Sequence, residues 1–105
     1  MIGTLITSQD YISDDIVASK IASADFAIQV SPEFEIDGAT YRVLLDGHHS
    51  LAAAIAAGAE VDVTERTASD DDRVALLVAG DIEGFLAACW MDGDYRYAAT
   101  GDAVW

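Results

Sequence analysis

Residues 41–58 read Tyr41-Arg42-Val43-Leu44-Leu45-Asp46-Gly47-His48-His49-Ser50-Leu51-Ala52-Ala53-Ala54-Ile55-Ala56-Ala57-Gly58, and few folds accommodate such a stretch. The apolar run to Leu45 suits a strand, Asp46-Gly47 suits a tight polar turn, and the alanines suit a helix that Gly58 stops in the left-handed conformation. A strand running straight into a helix aims backbone N–H groups beyond the turn. A helix N-terminus carries about half a positive charge and up to four unpaired donors, so it is a ready seat for an anion or phosphate. The candidate phosphate-binding residues are therefore Gly47, His48, His49 and Ser50, with binding that strengthens as the imidazoles gain protons near about pH 6.5.

The surroundings of that seat are acidic. Nineteen Asp and Glu face five Lys and Arg, a formal net charge of -14 with a pI near 4.1. Such a balance argues against direct binding to nucleic acid or to an anionic membrane, because lysine and arginine drive those contacts. Its natural counterpart is a basic protein surface, although acidity also serves solubility. With 105 residues and 52% hydrophobic content, residues 1–105 make one domain with apolar material for a single core. The opening residues lack the charged start and apolar run of a secretory signal, and no apolar run is long enough to span a membrane, which predicts a cytoplasmic protein. The single Cys89 has no disulfide partner in the chain and lies in an apolar helical run, as a buried small hydrophobe would.

The rest of the chain reads as an α+β domain with a small mixed sheet, a central alanine-rich helix and additional C-terminal helices. Ser13 caps a helix that begins with Asp14 and Asp15 and carries Ile16, Val17, Ile21 and Ala24 as its apolar stripe. Residues 26–30 form a strand, and residues 34–36 and 41–45 form a hairpin around Asp37-Gly38, a pair that favours the positive φ angles of a two-residue loop. In the central helix Leu51, Ala54, Ile55 and Gly58 face the sheet. Residues 60–66 alternate as a strand with Val61 and Val63 inward. Ser69 caps a further helix with Asp70, Asp71 and Asp72 in its first turn, ending at Gly80, and Asp81 opens a last helix to about Met91. The aspartate triplet complements a helix dipole, with a metal site as the alternative. In the irregular tail Tyr95 and Tyr97 share one face, either covering the edge of the core or forming a contact surface with Trp105.

At residues 43–54 the chain resembles the ParB/sulfiredoxin-like superfamily, whose members carry a strand, a glycine-containing turn with a polar pair, usually an arginine, and an alanine-rich helix ending in glycine. The likeness implies a turn that binds nucleotide phosphates, CTP in partition proteins and ATP in sulfiredoxins and a related serine kinase. Ser50 stands where the family has its arginine, so the bidentate phosphate fork is missing. His48 stands where sulfiredoxins have cysteine, and there is no basic helix-turn-helix segment for DNA. A nucleotide enzyme would further need a carboxylate for magnesium, with Asp46 nearest. In the other reading Asp46 caps the helix or orders the turn, and the histidines only hydrogen-bond across it. Adjacent helical histidines point roughly a quarter-turn apart and chelate a metal poorly, so no metal site and no catalytic residue is assigned.

Charge and scaffold together lead to a non-enzymatic acidic module that occupies a basic site on a nucleic-acid-handling complex. By composition it is similar to the small inhibitors of phages and mobile elements, such as anti-CRISPR and anti-restriction proteins that imitate DNA charge. Its expected partner-binding residues are Asp70, Asp71, Asp72, Asp92, Asp94, Tyr95, Tyr97 and Trp105, and the tyrosine tail offers a homodimer surface. The alternative is a small nucleotide-binding or phosphoryl-transfer protein, with magnesium, using the turn from Asp46 to Ser50.

Overall fold

The computed structural model describes residues 4–9, 11–91 and 93–105. The chain runs β1 (Thr4–Thr7), α1 (Asp14–Ala22), β2 (Ala27–Val30), β3 (Phe34–Ile36), β4 (Ala39–Asp46), α2 (His48–Ala57), β5 (Asp62–Glu65), α3 (Asp72–Val78), α4 (Ile82–Cys89) and β6 (Arg96–Tyr97). This is an α+β fold around a mixed sheet in the order β5-β2-β4-β1-β6, with β3 paired to β4. β4 is the spine. It takes β1 in parallel along one edge and β2 and β3 antiparallel along the other, while β5 lies parallel to β2. The Asp37-Gly38 hairpin forms with both residues at positive φ, 52° and 83°, the backbone that suits a two-residue turn between twisted strands.

Alternation along β4 divides the core in two. Tyr41, Val43 and Leu45 join Ile6 and Phe34 beneath α3 and α4, which contribute Val74, Phe85 and Cys89. Phe85 is fully buried and meets the Phe34 ring edge-on at 5.6 Å. On the opposite face Leu44 clusters with Ile28 and Val30, flanked by Leu5, Leu51, Val61 and Val63. Among the described residues no helix is long and apolar enough to cross a membrane.

Several elements depart from the sequence expectation, each for a local reason. Residues 4–7, to which the sequence reading assigned no element, form an interior strand, bonded to β4 on one side and β6 on the other. α1 stops at Ala22, with Ala24 turned into the left-handed region at φ 52°, and none of its residues is buried. Ile16 remains 42% exposed, because α1 packs on α2 and not on the sheet. α3 starts later than expected: Asp71, not Ser69, is its cap and accepts from the Arg73 amide at 2.9 Å, while Asp70 closes a turn with the Thr67 amide and hydroxyl.

The largest departure is the rotation of α2. Its buried residues are His48, Ser50, Ala53 and Ala54, Leu51 is half-buried, and Ile55 is 57% exposed. A helix this rich in alanine is apolar on nearly every side, so hydrophobic pattern alone fixes no inward face. Its rotation follows from its entry. Gly47 lies at φ 91°, and the helix ladder begins with the Leu51 amide donating to the Gly47 carbonyl at 2.8 Å. At the far end Gly58, at φ 65°, closes the helix by donating to carbonyls of the last turn.

The two glycines separate conformational from steric demand. A methyl group on Gly47 would lie 2.6 Å from the Ala27 carbonyl oxygen and 2.9 Å from Ile28 Cα, whereas one on Gly58 would meet nothing within 4 Å. Gly58→Ala is accordingly expected to cost about 1 kcal/mol for the left-handed backbone alone. Gly47→Ala adds collision with the β2 backbone and should cost at least about 3 kcal/mol. Urea denaturation of the two variants checks the difference, and equal losses would contradict the close approach.

Candidate functional site

The turn between β4 and α2 is built from side chains that satisfy one another. Asp46 turns back to accept the Gly47 amide at 2.8 Å, so it orders the turn, and no side chain among the described residues caps α2. His48 is buried, with Nε2 2.7 Å from the Thr7 hydroxyl of β1. His49 Nε2 accepts the Ser13 amide at 3.1 Å, at the residue that caps α1, and its ring meets Tyr11 edge-on. An imidazole nitrogen that accepts a backbone N–H is unprotonated. The pair thus fastens α2 to β1 and to the start of α1.

A cleft of about 210 Å³ opens beside this turn, lined by Gln9, Lys20, Asp46 and residues 47–50. Its one ammonium is already engaged, since Lys20 Nζ lies 2.8 Å from Asp25. That contact, with the Ala27 amide and the Ser50 hydroxyl, holds the Asp25 carboxyl below its ordinary range. Asp46 places negative charge on the lining, which opposes a phosphate. Ser50 is buried. One oxygen of Asp46 is taken by the turn amide, one nitrogen of each imidazole meets a protein group, and among the described residues no guanidinium lines the cleft. Among the described residues no three His, Cys, Asp or Glu side chains converge as a metal site would need.

Asp71 has a role that the sequence reading missed. Its side chain is only 7% exposed and carries Arg66 at 2.9 Å and Arg73 at 2.7 Å on one carboxylate oxygen. Arg66 also reaches Gln29 of β2 and lies 3.6 Å from Asp46. Two guanidiniums and the Arg73 amide hold the Asp71 carboxyl far below the usual carboxylate range. The resulting chain of charges ties the β4–α2 corner to the start of α3. Arginine at residues 66 and 73 around three aspartates was the available signal, but spacing does not say which aspartate is shared.

The other expected partner-binding residues differ in exposure. Asp70, Asp72 and Asp94 are exposed, and Asp92 lies outside the described residues. Tyr95 and Tyr97 are half-buried against the α3–α4 core, and the Tyr95 hydroxyl donates to the Leu86 carbonyl at 2.6 Å. Burial raises that phenol above its ordinary range. Trp105 is 59% exposed and meets Tyr41 and Tyr95 at steep angles, so the structure brings together Tyr95 and Trp105 from the expected set. Cys89 is buried, its thiol pushed up to about 11 by desolvation, which leaves it a poor nucleophile at neutral pH.

No protein-family model, curated protein sequence or solved structure matches the chain.

Two substitutions probe this corner. His49→Ala removes the acceptor of the Ser13 amide and should cost about 1 kcal/mol while speeding hydrogen exchange at Ser13, read by NMR. Asp71→Asn weakens both arginine contacts and should cost about 2 kcal/mol at neutral pH. Because the folded-state pKa of Asp71 is depressed, its stabilisation is complete above about pH 4 and is lost as the pH falls toward the folded value. Denaturation curves should therefore show wild type and Asp71→Asn converging in acid, and a constant gap would contradict the assignment.

Proposed function

We propose that this chain is a non-enzymatic acidic protein-binding module, built on a scaffold of the ParB/sulfiredoxin kind, that occupies a basic nucleic-acid-binding surface of its partner. The observation that carries this reading is the disposition of charge. The cations are spent within the chain: Lys20 on Asp25, Arg42 on Glu33 and Glu65, Arg66 and Arg73 on Asp71, with Arg96 donating to the Gln9 carbonyl. Most of the remaining described carboxylates are exposed, Glu35, Asp37, Asp72 and Glu83 among them. Such a surface repels a phosphate backbone and attracts lysine and arginine, which speeds encounter with a basic protein and disfavours acidic ones. The strand–glycine–helix corner supports the scaffold, and its self-satisfied side chains favour a binding role over phosphoryl transfer. An inhibitor from a phage or mobile element would use charge in this way.

Capture of the partner from cells, followed by titration of the purified pair, tests the reading. The partner should be a basic nucleic-acid-handling protein, DNA or RNA should compete with this chain for it, and affinity should fall at least tenfold between about 0.05 and about 0.5 M salt as the charges are screened. In parallel, millimolar ATP or CTP with magnesium should leave the melting temperature unchanged. A salt-independent dissociation constant, or a nucleotide-induced rise that His48→Ala with His49→Ala abolishes, would overturn the proposal.

A further inference from the structure

The β3–β4 hairpin, α4 and Trp105 enclose an open groove of about 480 Å³. Its apolar part is Ile36, Ile82, Leu86 and the Trp105 ring, and its rim carries the exposed carboxylates of Glu35, Asp37 and Glu83. None of the chain's cations lines it, and among the described residues none of these three acids makes an ion pair. The indole is held ready. Tyr41 and Tyr95 meet it at 67° and 70° with centroids 5.6 and 5.9 Å away, Tyr95 is itself fixed by its bond to Leu86, and Trp105 is still 59% exposed.

We infer that this groove docks a short segment of a partner protein in which arginine or lysine alternates with aliphatic side chains. An apolar floor removes aliphatic surface from water, three carboxylates answer cationic groups at the rim, and an exposed tryptophan is the best aromatic acceptor for a guanidinium or ammonium. A ligand of charge alone would leave the floor wet, and a purely apolar one would leave the rim unanswered. The inference rests on the protein-binding reading above and assigns that binding to one place. Aromatic anchors already braced in the free protein lose little freedom on association.

Fluorescence provides the test. In a Trp90→Phe background Trp105 is the sole indole, and a blocked hexapeptide alternating leucine and arginine should change its emission saturably, whereas the leucine–glutamine peptide should not. Glu35→Gln, Asp37→Asn and Glu83→Gln combined should weaken binding roughly tenfold or more, with Trp105→Ala losing it when followed by calorimetry. Removing the same charge elsewhere, by Asp14→Asn, Asp15→Asn and Asp62→Asn, should change affinity less than about twofold. All of these positions outside the hairpin turn are surface sites, and matched melting temperatures verify the fold of each variant. Equal weakening by the distant set, or no binding at millimolar peptide, overturns the groove. If the peptide fails while the chain still binds a basic partner with steep salt dependence, only the groove falls and the broader reading stands.

Discussion

The architecture turns on the approach of Gly47 to the backbone of β2. A residue at φ 91° with no side chain lets β4 pass into α2 within contact distance of the Ala27 carbonyl and Ile28, and that contact sets both the height and the rotation of the helix over the sheet. Once α2 is so placed, His48 faces Thr7 and His49 faces Ser13, which locates β1 and α1 in turn. Alanine completes the arrangement. Ala53 and Ala54 are buried with little bulk, so the helix can lie close to its neighbours.

Much of this was legible from residue pattern. The strand, turn and helix of residues 41–58, the Asp37-Gly38 hairpin and the two helices after residue 67 depend on local chemistry, namely positive φ at glycine, alternation in β4 and carboxylate caps. What was not legible depends on tertiary choice. Nothing in an alanine-rich helix tells Ile55 apart from Ala53 as an inward residue, and nothing within residues 4–7 says they lie inside the sheet. Likewise Ser69 and Asp71 are equally good caps in isolation. Arg66 and Arg73 decide between them, because both reach the carboxylate of Asp71.

The same logic redistributes the roles expected of charged and polar residues. A turn shaped to receive an anion is here filled by its own protein: Asp46 takes the Gly47 amide, the imidazoles take Thr7 and Ser13, and Asp25 holds Lys20 at the cleft. Asp71, counted among surface acids by sequence, is a structural anion inside a shell of guanidiniums. Most acids left outside these contacts are exposed, and the partner surface proposed above draws on them together with Trp105.

The position of β1 has a kinetic corollary. Ser8 accepts the Met91 amide, and the Gln9 carbonyl receives Arg96, contacts between residues 83 and 87 apart in sequence. An interior strand whose second neighbour is β6 cannot be completed until the most distant parts of the polypeptide have met, and the loop-closure entropy of that meeting precedes the reward. The β1–β6 pairing therefore closes the longest loop in the sheet, whereas the β3–β4 hairpin and the passage from β4 into α2 are local.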